Sequence, residues 1–390
     1  MKTIVSIAKG TDIALRTRKA IELIGGIEKF INKGDKVCIK PNLIYPSPPP
    51  VTTDPIATAE VVKMCFEAGA AEVIIVEGGA PVPKKQDGFC VRDVFEATGT
   101  RVLVEKLGAK IVPLDEIQSR VVEVKDGVLY RTMKLYDCML NSDKIISVPV
   151  MKTQYDTDVS LGIKNFHGCI ADSDKFWKFH KDDVSQKLVD IMKVIKPSLT
   201  VIDAGIAMEG TGPLAGTPIE MNLTIASGDV VSADVVGTYL MGIDNPLDVD
   251  TNRIANHQKI GNGNMDNIEI IGENPEDVRK KFKLPQLKLS AIYDNVTVIE
   301  GGVCRACRAR TRWALDAKFE LGDFNGEHTT IIVGFEPYVP DPDDIDGKIF
   351  VVGDCACFYA KALMQAPEKV TFVRGCPPIP VPDLVNKYRE

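Results

Sequence analysis

Short β-branched runs alternate with helical patterns up to about residue 290, and this alternation limits the possible folds most strongly. VCIK (37–40) and EVIIVEGG (72–79) are apolar and end in polar or glycine turns, which is typical of buried parallel strands. The segment between them predicts a helix, with Asp54 as N-cap, Pro55 at the first helical position and Gly69 just past the end.

The same alternation continues along the chain. Further strands are predicted at KIISVPV (144–150), SLTVID (198–203) and NLTIAS (222–227), with helices at about 183–195 and 231–241. Strands that alternate with helices favour an α/β domain with a mainly parallel sheet.

Two segments depart from the alternation. Residues 119–136 predict a hairpin that turns at Asp126-Gly127, either at an antiparallel sheet edge or as an inserted element. Residues 272–290 are charged and punctuated by proline, so they predict a linker or a helix that leads into a second unit. We therefore predict an α/β domain over 1–285 and a smaller, cysteine-rich α/β domain over 286–390.

In the second domain, three strands are each followed by cysteine: NVTVIEGGVCRAC, KIFVVGDCAC and KVTFVRGCPP. If these strands are neighbours in a parallel sheet, the turns after them meet at one edge. The four thiols predicted to converge there are those of Cys304, Cys307, Cys355 and Cys376. Four thiolates suit a [4Fe–4S] cluster or a structural zinc ion, and the adjoining glycines permit tight turns.

Other interpretations of the cysteines stay open. A thiol–disulfide pair and buried free cysteines are alternatives to a metal centre. Cys357 competes with Cys355, which we favour because a residue two positions further on points away from the turn. The arginines near these turns either offset the charge of a cluster or receive an anionic substrate: Arg305, Arg308, Arg310, Arg312 and Arg374. Cysteines in or beside apolar segments are predicted to be small buried hydrophobes: Cys38, Cys65, Cys90, Cys138 and Cys169.

Composition limits the function classes. The net charge of −7 argues against non-specific nucleic-acid binding. No apolar run approaches the roughly 20 residues that cross a bilayer, so no membrane partner is expected. The segment MKTIVSIAKG predicts a first strand and not a signal peptide. Ten cysteines without an export signal predict a reducing, cytoplasmic location, and four histidines argue against a histidine-rich zinc site.

Three strand-end segments of the first domain carry polar side chains: IKPNL (39–43), residues 148–168 and residues 201–218. Lysines at such turns form a cationic pocket suited to phosphate or carboxylate, carboxylates bind metal or move protons, and histidine acts as acid or base near neutrality. The predicted catalytic residues are Lys152, Lys164, His167, Asp203 and Glu209. The predicted substrate- or cofactor-binding residues are Lys40, Asn42, Asn165, Arg308 and Arg374. Solvated surface lysines and a loop-capping histidine remain the alternative.

These segments carry a resemblance. The KPN turn, the run Thr52-Thr53-Asp54-Pro55, the K-T and K-N-x-x-G segments and the D-A-x-x-x-M-E-G-x-G-P loop together resemble the domain of unknown function 362 family over most of residues 1–270. The resemblance implies a [4Fe–4S] segment in the cysteine domain. The usual ferredoxin run C-x₂-C-x₂-C-x₃-C is absent, so a different scaffold is expected.

A second resemblance covers about the last quarter of the chain. GDCA (353–356) and GCPPIP (375–380) are similar to motifs of the small cluster-binding subunit of respiratory complex I and of hydrogenases, where each supplies one cluster ligand. The resemblance implies Cys355 and Cys376 as ligands. The earlier pair differs, because that subunit has adjacent cysteines where this chain has CxxC.

The sequence therefore predicts a cytoplasmic iron–sulfur oxidoreductase or electron-transfer protein, with one [4Fe–4S] cluster serving a small anionic substrate or second cofactor in the N-terminal pocket. A non-redox isomerase or lyase with a structural or Lewis-acid cluster is one alternative, and an iron–sulfur or metal carrier is another. The expected partners are the anionic substrate, a redox partner protein and further copies of the chain.

Overall fold

The computed structural model describes residues 2–78, 90–171, 183–289, 293–320, 328–335, 341–359 and 368–376. The chain forms two compact units. Unit 1 comprises Met1–Phe176 and Ser185–Pro285, and unit 2 comprises Trp177–Val184 and Gln286–Glu390. In the described ranges, no helix has both the length and the apolar character needed to cross a membrane.

In chain order, the strands are β1 (Thr3–Lys9), β2 (Lys36–Pro41), β3 (Glu72–Glu77), β4 (Lys110–Pro113), β5 (Ser119–Glu123), β6 (Thr132–Tyr136), β7 (Lys144–Val148), β8 (Val150–Gln154), β9 (Asp158–Ser160), β10 (Leu199–Glu209), β11 (Thr217–Ser227), β12 (Ile268–Gly272), β13 (Val296–Gly301), β14 (Thr329–Gly334), β15 (Lys348–Val352) and β16 (Val370–Val373). In strands such as β7, β14 and β15 of the two larger sheets, buried apolar residues predominate.

The helices of the described residues connect these strands. They are α1 (Ile13–Leu23), α2 (Pro55–Glu67), α3 (Val91–Ala97), α4 (Thr100–Lys106), α5 (Asp137–Leu140), α6 (Gly162–Asn165), α7 (Val184–Met192), α8 (Val230–Leu240), α9 (Asp250–His257), α10 (Pro275–Val278) and α11 (Arg305–Glu320).

Helix α2 has the predicted ends. The Asp54 side chain accepts a hydrogen bond from the Ile56 N–H at 2.8 Å, and Pro55 occupies the first turn. Gly69 follows the helix with φ +88°, a conformation that glycine adopts without strain. The helix buries Val61, Cys65 and their neighbours in the hydrophobic core of unit 1.

A mostly parallel sheet forms the centre of unit 1. In the part of the chain that the structure describes, this sheet has ten strands in the order β12-β1-β11-β10-β7-β2-β3-β4, with β8 and β9 attached beside β10. Strands β7, β2, β3 and β4 are parallel, as predicted. Strand β11 is antiparallel to β10, because the short 210–216 connection permits only a hairpin. It is also antiparallel to β1.

The predicted hairpin at 119–136 is confirmed. Strands β5 and β6 pair antiparallel in a sheet of their own, and Asp126 at the turn has φ +57°. The hairpin is held by Asp190 of α7, whose carboxylate accepts the N–H groups of Val128, Leu129 and Tyr130 at 2.8–3.1 Å. It is therefore an inserted element and not an edge of the large sheet.

Unit 2 contains a smaller parallel sheet in the order β13-β14-β15-β16. The three cysteine-bearing strands are present, but the expectation that they are neighbours was wrong for β13 and β15. Strand β14 lies between them, and all six of its residues are buried. It carries no cysteine, so the strand–glycine–cysteine pattern gave no signal for it. The carboxyl ends of all four strands still lie at one edge.

The isolated cysteines differ in burial. Cys38, Cys65 and Cys169 are buried, as predicted, and burial raises the pKa of the Cys65 thiol to about 12. Cys90 and Cys138 are only partly buried, so for them the prediction was wrong. Cys90 directly precedes α3 and Cys138 lies in the short α5, and both positions lie at the rim of the core.

Candidate functional site

A buried ion pair lies at the carboxyl ends of β2 and β3. The Lys40 Nζ donates to Glu77 Oε2 at 2.7 Å and to the Pro41 carbonyl at 2.6 Å. Lys40 is 1% exposed and Glu77 2%. Burial alone would raise the pKa of Glu77, but Lys40 and the N–H groups of Leu43 and Gly78 outweigh it and lower the pKa. The charged form of Glu77 is therefore favoured inside the protein.

Lys152 lies on β8 and is equally buried, but its hydrogen-bond acceptors are neutral. Its Nζ donates to Asn42 Oδ1 at 2.6 Å and to the Val51 carbonyl at 2.8 Å. An ammonium group has three N–H donors, so one is left for a further acceptor. Burial, followed by the nearby positive charge of Lys164, lowers the pKa of Lys152 to about 7.

Two asparagines connect the strands that carry these lysines. Asn165 at the end of α6 donates from Nδ2 to the Lys40 carbonyl at 2.7 Å and to Ser147 Oγ at 3.2 Å. Asn42 Nδ2 reaches Asn165 Oδ1 at 3.4 Å. The amides therefore fix β2, β7 and α6 relative to one another.

Lys164 and His167 lie on α6 and on the turn that follows it. Lys164 is partly buried and close enough to Lys152 to lower the pKa of that lysine. His167 is partly buried in the turn Phe166–Cys169. A Cβ on Gly168 would lie 3.0 Å from Glu77 Oε1, so this turn packs against the ion pair. We call the set Lys40, Asn42, Glu77, Lys152, Lys164 and Asn165 the lysine cluster.

The two carboxylates predicted as catalytic have other partners. Asp203 pairs with Arg16 at 3.1 Å and accepts the Asp54 N–H at 3.0 Å. Glu209 accepts the Lys283 N–H at 2.9 Å. Among the described residues, neither side chain forms a hydrogen bond or ion pair with the lysine cluster. Their contacts hold strand ends and the segment after α10.

Sequence reasoning missed two carboxylates that shape the site. Glu77 ends an apolar strand directly before two glycines, and Asp234 lies inside the apolar helix α8. A carboxylate is not expected in an apolar run of either kind. Asp234 accepts the N–H groups of Gly162 and Ile163 at 2.7 and 2.9 Å, which fixes the start of α6. Burial raises the pKa of Asp234 to about 7. An acidic residue in an apolar segment is the signal that could have revealed both.

In unit 2, the turns after β15 and β16 are joined directly. Gly353 N–H donates to the Val373 carbonyl at 2.9 Å, and Asp354 N–H donates to the Gly375 carbonyl at 2.8 Å. Asp354 in turn accepts the Gly375 N–H at 2.8 Å. Cys355 and Cys376 are carried by this pair of turns, with Cys355 exposed and Cys376 partly buried.

Cys304 and Cys307 lie at the start of α11. Cys304 is exposed and its carbonyl accepts the first helical hydrogen bond, from Arg308 N–H, whereas Cys307 is 4% exposed. A hydrogen bond from Cys307, aided by backbone N–H groups, lowers the pKa of Cys304 to about 6. The pKa of Cys307 is raised by the same hydrogen bond, by burial and by the charges of Cys304, Cys376 and Cys355.

The thiols of Cys304, Cys355 and Cys376 therefore each lie within electrostatic range of the Cys307 thiol. The Cys307 Sγ is 3.5 Å from where a Cβ on Gly353 would lie, so the turn after β15 approaches this sulfur closely. Soft thiolate donors of this number fit an iron–sulfur cluster or zinc. Within the described ranges, however, no group of three or more histidine, cysteine, aspartate or glutamate side chains is arranged so that it could hold a metal ion.

The arginines around these turns differ in their pairing. Arg308 pairs with Glu300 at 2.9 Å and Arg312 with Asp316 at 2.7 Å, so their charges are already partly offset. Arg374 directly follows β16 and is exposed. Cys357, the predicted competitor of Cys355, is also exposed.

Comparison with known proteins identifies a family and a relative of this chain. A family model described as Domain of unknown function (DUF362) matches residues 37–239. The thylakoid-associated protein sll1697 of Synechocystis sp. is 30% identical over 250 residues, which cover 63% of this chain and 74% of the relative.

Similarity to solved structures is weaker. The lactate racemase apoprotein of Thermoanaerobacterium thermosaccharolyticum gives a TM-score of 0.46 at 10% identity, over 99% of this chain and 91% of that one. A protein of Thermotoga maritima gives 0.30 at 10% identity, over 64% and 60%. At these scores the likeness carries no argument about function.

Proposed function

The chain belongs to the family described as Domain of unknown function (DUF362), and since that description names no activity we propose a function from the chain's own residues. The protein is an electron-transfer protein or oxidoreductase with one [4Fe–4S] cluster. The cluster is held by Cys304, Cys307, Cys355 and Cys376. The substrate, or a second cofactor, is a small anion bound at the lysine cluster.

One observation carries this proposal: the cysteine-bearing turns of unit 2 approach one another at the carboxyl edge of a parallel sheet. The turns of Cys355 and Cys376 are hydrogen-bonded together, and both thiols influence Cys307 electrostatically. Four cysteine thiolates are the usual ligand set of a cubane cluster. A cluster would draw the four sulfurs into closer contact than they have without it.

The surroundings of Cys304 suit a cluster ligand. The backbone N–H groups of Ala306 and Cys307 hydrogen-bond its sulfur at the start of α11. Such bonds stabilise a thiolate and adjust the potential of a bound cluster. When bound, the cluster supplies or accepts one electron at a time.

The lysine cluster suits a small anion. Glu77 is paired with Lys40, whereas the acceptors of Lys152 among the described residues are neutral oxygens. The remaining N–H of Lys152 would donate a charge-assisted hydrogen bond to a carboxylate or phosphate oxygen. With a pKa of about 7, Lys152 would also hold or release a proton near neutrality.

Anaerobic purification followed by iron and sulfide analysis, with EPR of the reduced protein, tests the cluster. We expect about four irons and four sulfides per chain, following the [4Fe–4S] composition. Cys376→Ala should lose most of the iron. Cys357→Ser, which replaces a neighbouring exposed thiol outside the proposed ligand set, should keep it. Zinc without sulfide would exclude the iron–sulfur cluster. Full iron content in Cys376→Ala would exclude the proposed ligand set.

A second candidate function follows from the pairing of an exposed Cys304 with a buried Cys307 across a hydrogen bond at a helix start. This is the arrangement of a thiol–disulfide oxidoreductase. The Cys304 thiolate would attack a substrate disulfide and release one substrate thiol. Cys307 would then displace the second thiol, leaving a Cys304–Cys307 disulfide, so two electrons reach the substrate. Disulfide reductase activity in iron-free protein, abolished in Cys304→Ser, would favour this function.

The same protein preparation distinguishes the two remaining alternatives, an isomerase or lyase and a carrier. An isomerase or lyase would convert an anionic acid without any change in the redox state of the cluster. A carrier would pass iron and sulfide to an acceptor protein and turn over no small molecule.

A further inference from the structure

Unit 1 has a recess that is separate from the lysine cluster. It lies where β10 begins and β11 ends, which are adjacent because Thr200 pairs with Ser227. Strands β10 and β2 are both parallel to β7, so their amino ends lie at the same edge of the sheet. The recess lies at that amino edge, whereas Lys40 lies at the carboxyl end of β2, at the opposite edge. We propose that this basic recess binds a small molecule carrying a phosphate monoester.

The basic recess has the size of a ligand site. Its volume is about 450 Å³, and ligand pockets commonly measure about 300–1,000 Å³. Met192, Ile195 and Ile260 supply apolar wall, which suits the organic part of a ligand. The hairpin turn, the segment after α7 and the end of α9 contribute the remaining wall, so several elements of unit 1 form it.

The acidic groups at the recess are mostly engaged by the protein itself. Asp229 Oδ1 accepts the N–H groups of Val231 and Ser232, and its Oδ2 accepts that of Asn262, each at 2.9 Å. Asp190 holds the hairpin backbone and pairs with Lys193 at 3.1 Å. Asp190 therefore offsets the charge of Lys193 on the recess wall, and the two carboxylates compete little for the other lysines there.

The cations that remain are Lys125, Lys196 and Lys259. All three line the recess and all are exposed. None of their side-chain ammonium groups forms a hydrogen bond or ion pair with a described residue. The carboxylate of Asp126 is the one opposing group on the wall without such a bond. The excess of positive charge matches a phosphate monoester, which carries about −1.5 to −2 at pH 7. Three separate ammonium groups bind phosphate oxygens as point charges.

The experiment titrates the full-length protein with AMP, glucose 6-phosphate and glycerol 3-phosphate by isothermal calorimetry, beside their unphosphorylated counterparts and inorganic phosphate. We expect at least one monoester to bind more tightly than both its counterpart and inorganic phosphate. The double variant Lys196→Gln/Lys259→Gln should weaken that binding by at least about tenfold, as for the loss of two charge-assisted contacts. The double variant Lys19→Gln/Lys106→Gln removes two exposed lysines elsewhere on unit 1 and should bind as the parent does.

Three results would overturn the inference. The first is that no monoester binds, or that inorganic phosphate binds equally well, which would mean an adventitious ion only. The second is equal weakening in both double variants, which would mean a general effect of net charge. The third is that Lys152→Met loses binding while Lys196→Gln/Lys259→Gln binds as the parent does, which would assign the ligand to the lysine cluster. The outcome is independent of whether unit 2 holds iron.

Discussion

The lysine cluster of unit 1 and the cysteine turns of unit 2 differ in how far their functional side chains are buried and held by the protein itself. In the lysine cluster, Lys40 and Lys152 are buried and each has fixed acceptors, such as Glu77 for Lys40 and Asn42 for Lys152. In the cysteine turns, Cys304 and Cys355 are exposed, although backbone hydrogen bonds join the turns after β15 and β16. The first region is organised before it binds anything, whereas we expect the second to be completed by what it binds.

Breaking the Lys40–Glu77 pair gives the largest expected effect on stability. Lys40→Met leaves the Glu77 carboxylate buried without its cation, and such losses cost about 3–5 kcal/mol. Lys110→Met is the matched control, because it breaks an exposed pair with Glu72 at 2.8 Å and should cost under about 1 kcal/mol. Urea unfolding measures both free energies. Equal costs would show that burial does not distinguish the lysine cluster.

Asp234→Ala should have the next largest effect. It leaves the buried N–H groups of Gly162 and Ile163 without an acceptor, at a cost of about 1–3 kcal/mol. Because burial raises the pKa of Asp234 from 3.8 to about 7, its protonated form stabilises the folded state, and this contribution declines as the pH rises from about 4 to about 7. The free energy of unfolding of the parent minus that of Asp234→Ala should therefore be larger at pH 5 than at pH 8. A difference that grows with pH would contradict this sign.

The charge of Lys152 predicts a pH dependence of anion binding at the lysine cluster. Its pKa is lowered to about 7, so the ammonium form is lost as the pH rises through that value. Affinity for oxalate, which stays a dianion over this range, should fall by up to about tenfold per pH unit above neutrality. Calorimetry at several pH values measures the slope, which should disappear in Lys152→Met. An unchanged slope in that variant would show that a different group titrates.

The smallest effect is expected for the exposed cysteines in iron-free protein. Cys355→Ser should change the free energy of unfolding by less than about 0.5 kcal/mol, as for other exposed positions. Cys307→Ser buries a hydroxyl at a site that is 4% exposed and should cost more. A cost for Cys355→Ser near that of Lys40→Met would remove the contrast between the two regions.

Local sequence signals were sufficient for many elements and insufficient for the site. Helix α2 was predicted with both its ends because Asp54, Pro55 and Gly69 act within one turn of it. Strand β14 was missed because its position between β13 and β15 depends on long-range pairing. Asp203 was a plausible catalytic carboxylate by position, yet it pairs with Arg16, which is distant in sequence.

The sequence by itself determined the alternation of strands and helices, the hairpin and the family, because periodicity, caps and turn residues act over a few neighbouring positions. Only the tertiary structure decided that Lys40 faces a carboxylate while Lys152 faces neutral oxygens. That difference gives two lysines of similar burial different electrostatic roles. It depends on the strand order β7-β2-β3 and on the packing of α6, which bring together groups more than a hundred residues apart.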